Sequence, residues 1–308
     1  MDKISRLKIE NLHKSISGRP IIKGIDLELY EGEVLGLIGP NGAGKSTTIK
    51  MLTGLFSKTA GKIYYGDLDY DKDFLKIKQH FGAIVENPDL YTYLTGKQHL
   101  DLIAKLYPET TKADIDEAVD MVNMKNALSK KIKAYSLGMK QRLAIAAILL
   151  TKAELIILDE PFNGLDPQGI RDLRLVLRKL SRERGITVLV SSHLLGEVQA
   201  LCDRIAMISQ GKIVAVFDME SLTQNIQENS VKIMTSDQGK LLEYFTERQI
   251  PFSQDLGFVK INCDLDNINQ LITDLIAAEF KIYAIEPVHK SLEDLFMEVM
   301  SSRGGVIS

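Results

Sequence analysis

Residues Gly39–Thr47 read GPNGAGKST and lie between the apolar run VLGLI (34–38) and an apolar helical stretch from about Lys45 to Leu55. The pattern G-x-x-x-x-G-K-S between a strand and a helix is the setting of a phosphate-binding loop. Its glycines let the backbone come close to a ligand. The N–H groups of Gly42, Gly44, Lys45 and Ser46 can then wrap a phosphate, and the start of the helix adds positive partial charge. Lys45 is placed to reach the β and γ oxygens of a triphosphate, Ser46 a Mg²⁺ ion and Thr47 the α-phosphate. The contact set is Gly39, Pro40, Asn41, Gly42, Ala43, Gly44, Lys45, Ser46 and Thr47.

A second motif supplies the partner. ELIILDEP (154–161) is an apolar strand that emerges at Asp159 and Glu160. A carboxylate at Asp159 can hold Mg²⁺, and the next one, Glu160, can orient or deprotonate an attacking water. Thirty-three residues on, ITVLVSS ends at His193. An imidazole at the tip of a neighbouring strand can donate to a γ-phosphate and fix the water-activating carboxylate.

The composition narrows the field. The chain has 308 residues, 45% hydrophobic and 26% charged, with a net charge of −3. That describes a large core with a mixed exterior and gives no basic surface for nucleic acid. Cys202 and Cys263 stand far apart without metal-ligand spacing, which fits a reducing compartment. The opening MDKISRLKIENL lacks the pattern of a signal peptide. No apolar run approaches the roughly 18–20 residues that span a bilayer.

Along the chain, strands are expected at Lys8–Leu12, Ile21–Tyr30, Val34–Ile38, within KIYYGDLDY and at Phe81–Val85. Helical spacing follows from Thr95 to about Leu150. Then come a strand at Glu154–Leu158, a helix from Pro167 to Arg184, a strand at Ile186–Val190, a helix near Leu194–Leu201 and two short strands, RIAMI and KIVAVF. This alternation indicates a mostly parallel α/β sheet. After about Glu220 the texture shifts to a small β-α-β-β-α unit, with SLEDLFMEVM as a closing helix.

GPNGAGKST, YSLGMKQR, IILDEP, GLDP (Gly164–Pro167) and SSH occur in the order and spacing of ATP-binding-cassette (ABC) transporter ATPase domains, and the resemblance covers about residues 4–217. It implies a P-loop NTPase of the ABC type: a mostly parallel core sheet, an antiparallel β arm and a helical subdomain at about 90–150. The ATP-binding domain would span residues 1–220, with an α+β accessory domain at 221–308. It also implies ATP and Mg²⁺ as cofactors and a homodimer, or a heterodimer with a similar ATPase. A separate multi-span permease would hold the pair on the cytoplasmic side of the membrane. Lys45, Glu160 and His193 of one copy would then act with Ser136 and Gly138 of the other, and Asp166 would lie at the dimer contact.

Three departures from the family pattern stand out. Its L-S-G-G-Q reads Tyr135-Ser136-Leu137-Gly138-Met139 here, which keeps the serine and the second glycine. The adenine-stacking aromatic is replaced by Ile16, between Ser15 and Ser17. The glutamine that contacts Mg²⁺ and the permease is Glu86, which could ligate the metal, tune the charge or only couple. ENPDLY…LTG with YSLGMKQR resembles the ATPases of bacitracin- and lantibiotic-resistance exporters, and the ending EPVHKSLEDLFMEVM their extension. The expected function is ATP-driven export of a peptide antibiotic or similar amphiphile. An importer ATPase, or an ABC-type switch on ribosome or DNA, is the alternative.

Overall fold

The computed structural model describes residues 4–220, 227–255, 257–263 and 267–289. Two compact units divide the chain between Met219 and Glu220.

The first unit opens with a hairpin of two twelve-residue strands, β1 (Ser5–Ile16) and β2 (Arg19–Tyr30). Both strands run further than the hydrophobic alternation suggested. Ser17 and Gly18 take φ of 49° and 78°, the two positive values a tight hairpin turn needs, so pairing continues to Ile16 and Arg19. With β4 (Ala60–Tyr65) and β5 (Leu68–Asp69) they form an antiparallel sheet in the order β2-β1-β4-β5.

The main sheet has the order β10-β9-β3-β8-β7-β6. Its strands are β3 (Val34–Ile38), β6 (Phe81–Ile84), β7 (Leu155–Leu158), β8 (Thr187–Ser192), β9 (Arg204–Ser209) and β10 (Lys212–Asp218). All pairings are parallel except β9 with β10. Every residue of β3, β7 and β8 is buried, as expected of strands covered on both faces. Each Leu or Ile hidden there contributes about 1.5–3 kcal/mol.

Helices fill the crossovers: α1 (Lys45–Leu52), α2 (Tyr70–Ile77), α3 (Gly96–Ala104), α4 (Lys112–Met121), α5 (Leu137–Leu149), α6 (Pro167–Arg184) and α7 (Leu195–Gln199). Of helix α2 only Tyr70 lies in a segment expected as strand, the end of KIYYGDLDY; the rest of it carried no expectation. Asp69 ends β5 and caps α2 by accepting from Asp71 N, a local bond that switches the chain to helix. Thr95 with Gln98 and Thr111 with Asp114 form reciprocal capping boxes that start α3 and α4. Helix α6 starts with Asp166 as cap and Pro167 behind it, and stops at Gly185 with φ 65°. No helix among the described residues is long and apolar enough to cross a membrane.

The second unit carries β11 (Gln227–Thr235), α8 (Gln238–Glu247), β12 (Phe252–Asp255), β13 (Phe258–Asn262), α9 (Ile268–Ala277) and β14 (Ile282–His289). Its antiparallel sheet runs β12-β13-β11-β14, so KIYAIEP supplies a fourth strand and completes a βαββαβ unit. Val231, Ile233, Leu241, Phe245, Val259, Ile261, Leu275 and Phe280 form its own core. The SLEDLFMEVM segment lies outside the described residues.

Candidate functional site

The site grows from the ends of β3, β7 and β8, three adjacent buried strands of the main sheet. β3 delivers the glycine loop, whose Gly42 and Gly44 take φ of 80° and 115°. A side chain would be strained at either residue. Gly44 directly precedes α1, so the exposed N–H groups of that helix open onto the loop.

Lys45 is almost fully buried. Its Nζ donates to the carbonyl oxygens of Gly39 at 2.8 Å and Pro40 at 3.3 Å, and it meets Glu160 Oε1 at 3.2 Å. These partners hold a buried ammonium at the mouth of the loop. A phosphate entering there would exchange one set of oxygens for another.

Asp159 is 2% exposed. Its backbone N–H donates to Ile84 O at 2.9 Å, which fixes the end of β7 against β6. Its Oδ1 accepts from Ser46 Oγ at 3.2 Å and from Ser191 Oγ at 2.6 Å. Ser191 Oγ in turn accepts from the backbone N–H of Glu160 at 2.8 Å. One buried hydroxyl from β8 therefore orients both acidic residues.

Glu160 takes a left-handed φ of 48°, a conformation that costs of order 1 kcal/mol for a residue with a Cβ. Its carboxylate is bracketed by Lys45 on Oε1 and by His193 on Oε2, where Nδ1 approaches to 2.8 Å. The Glu160 carboxylate, the His193 imidazole and the Lys45 ammonium thus meet at one point.

A cavity of about 370 Å³ lies over the loop, lined by Ile21, Asn41, Gly42, Gly44, Lys45, Ser46, Thr47, Glu160 and Asn163. Hydroxyl and carboxylate oxygens at Ser46 and Asp159 suit a small hard cation that takes its other ligands from phosphate and water. No cluster of three or more His, Cys, Asp or Glu side chains able to cage a metal occurs among the described residues.

The remaining sequence candidates sit elsewhere. Ser136 caps α5 by accepting from Met139 N at 3.3 Å, and Gly138 is buried where a Cβ would lie 3.5 Å from Gly169 Cα. Neither lines the cavity. Asp166 accepts from Gly169 N at 3.0 Å. The Glu86 carboxylate meets Lys50 Nζ at 2.7 Å, and that hydrogen bond holds its pKa below the usual carboxylate value. Its backbone is also left-handed, with φ 66°.

Sequence reasoning missed Ser191, Asn163 and Lys50. Ser191 had a visible signal: a hydroxyl residue near the end of a mostly apolar strand, two residues before the histidine. Lys50 had none, because its partner lies 36 residues away.

Comparison with known proteins places this geometry in a family. The ABC transporter family model matches residues 22–163. An ABC transporter ATP-binding protein of uncharacterised role, YhcH of Bacillus subtilis, is 41% identical over 95% of each chain. The bacitracin transport ATP-binding protein BcrA of Bacillus licheniformis is 33% identical over 98% of each. A solved ATP-binding subunit of an ABC transporter superposes with a TM-score of 0.62 at 29% identity, over 71% of this chain and 92% of its own. The glycine loop and Glu160 line one cavity, Asp159 and His193 are bonded to its Ser46 and Glu160, and the similarity runs nearly the whole chain: the chain belongs to the ABC transporter family as one of its ATP-binding, ATP-hydrolysing subunits.

Proposed function

We propose that this chain is the motor of a multi-subunit exporter, and that it hydrolyses ATP to drive a separate membrane permease on the cytoplasmic side of the membrane. The bracketing of Glu160 by Lys45 and His193 carries the catalytic half of this reading. Similarity along nearly the whole chain to a protein named for bacitracin transport supports the export half, with a peptide antibiotic or similar amphiphile as cargo.

The chemistry follows from the resting contacts. Lys45 is held by loop carbonyls and Glu160, so a triphosphate that draws the ammonium onto its β and γ oxygens also frees one oxygen of Glu160. That carboxylate then faces the γ-phosphate with His193 still on Oε2. It aligns a water on the γ-phosphorus and takes up its proton as the bond to the leaving diphosphate breaks. Ser46 and Asp159 would hold Mg²⁺, which would supply positive charge against that of the phosphates. Ser191 keeps Asp159 and the Glu160 backbone in register.

In the proposed assembly two copies pair head to tail. Ser136 and Gly138 open the thirteen-residue helix α5 outside the cavity of their own chain. Their N–H groups and helix dipole suit the γ-phosphate held by the other copy. ATP closes the pair and hydrolysis opens it.

The test is reconstitution with the multi-span membrane protein that co-purifies with this chain. ATP-dependent efflux of a bacitracin-type peptide from cells, lost in Glu160→Gln, is the expected result. Co-purification with ribosomes and no effect on efflux would sink the reading.

A further inference from the structure

Glu160 keeps its left-handed backbone only while its surroundings hold it there. On one side the support is Ser191, whose hydroxyl accepts from the Glu160 N–H. On the other it is a short turn that leads into α6. Asn163 N donates to Glu160 O at 3.1 Å, and Leu165 N donates to Phe162 O at 3.2 Å. Phe162 is buried and anchors the turn, and Gly164 continues it with a φ of 74°.

The start of α5 packs against this turn in the same chain. A Cβ on Gly164 would lie 3.2 Å from Leu137 Cδ2, so the leucine fills the space beside that glycine. One residue on, a Cβ on Gly138 would lie 3.5 Å from Gly169 Cα and 3.7 Å from Leu165 Cδ2. The two helices thus meet with little between them, and Arg142 approaches Asp172 to 3.7 Å one turn further along. Leu137 is the first residue of α5, half-buried, and follows the exposed cap Ser136. It stands where L-S-G-G-Q carries its first glycine, and a glycine there would have no side chain to set against Gly164.

We propose that Leu137 is a positioning residue for Glu160: it braces the Gly164 turn and so ties the alignment of the carboxylate to the seat of α5 in the same chain. The inference rests on the head-to-tail pairing proposed above, in which Ser136 meets the γ-phosphate held by the other copy. Closely packed elements pass a small displacement on instead of absorbing it. Seating α5 on that phosphate presses Leu137 onto Gly164 and sets the turn that begins at this chain's own Glu160. One site then becomes competent when the other is filled.

The experiment uses mixed pairs of full-length protein, obtained by co-expressing two differently tagged copies of which one keeps Glu160 and the other carries Glu160→Gln. Leu137→Ala on the copy that keeps Glu160 should slow phosphate release by about three- to thirtyfold, the span of coupling effects through packed networks. The loss should fall on the turnover number and leave KM in place, as for an interaction realised in the transition state. The same change on the Glu160→Gln copy should slow release far less. Leu137→Met, which restores a long apolar side chain, should recover most of the rate. No slowing, a rise in KM in place of a fall in turnover, or equal slowing from either copy overturns the brace and leaves the pairing standing. Copies that fail to pair on Mg·ATP even with Leu137 intact overturn the pairing and the brace together.

Discussion

His193 Nδ1 lies 2.8 Å from Glu160 Oε2, while the other oxygen of the same carboxylate is held at 3.2 Å by Lys45. The imidazole sits at the end of β8 and the carboxylate at the end of β7, so sheet pairing fixes their separation. Glu160 is thereby oriented by one neighbour that stays in place and one that a phosphate would recruit.

Removing the base should separate binding from turnover. Glu160→Gln keeps the size and hydrogen-bonding reach of the side chain but cannot take a proton. Phosphate release is expected to fall by about 10²- to 10⁴-fold, the range of general-base contributions, with ATP binding preserved in calorimetry. Loss of both together would place Glu160 in the binding of the nucleotide instead.

His193→Ala leaves the base in place but free to turn. The turnover number should drop by about ten- to a hundredfold with little change in KM, the pattern of an interaction realised in the transition state. His193→Gln, which can still donate to Glu160, should recover part of the rate. Steady-state kinetics on the three proteins decides this.

Ser191 is a small residue with two obligations. Ser191→Ala strips Asp159 of a buried 2.6 Å donor and leaves the Glu160 N–H without its acceptor. The expected cost is about 1–3 kcal/mol, seen as an earlier midpoint in urea. Half-saturation by Mg²⁺ should also move upward, which a purely structural serine would not cause.

His99 predicts an acid-sensitive stability. It is 3% exposed in α3, its Nδ1 has no hydrogen-bond partner among the described residues, and Tyr91 faces its ring at 5.9 Å. Burial lowers its pKa from the usual 6.5. The unfolded chain therefore binds a proton that the folded chain refuses, so stability rises with pH in this window. The contribution is intact above about pH 6.5 and is lost as pH falls from there toward the depressed folded value. Thermal melts from pH 8 to pH 5 should show that loss, and His99→Phe should flatten it.

Much of the fold was readable because its signals are local. The Gly39–Thr47 loop, the apolar strand ending at Asp159 and Glu160, and the strand ending at His193 each carry chemistry within a few residues. The Pro167–Arg184 helix was also read at its observed limits, where Asp166 and Pro167 start it and Gly185 stops it. What stayed hidden depends on chain segments meeting in space. Ser191 matters because β8 pairs with β7, and Lys50 because Glu86 returns to α1. Beyond Tyr70, helix α2 went unread; its start rests on the single Asp69 cap.

The most direct measurement of the central claim is light scattering on Glu160→Gln with and without Mg·ATP. If triphosphate is clamped between the glycine loop of one copy and the Ser136-capped helix of another, the mass should double on adding ATP. A Ser136→Arg change in the same background should return it to that of a single chain. A protein that binds ATP fully yet stays a single chain, or pairs equally well with Ser136→Arg, would contradict the account.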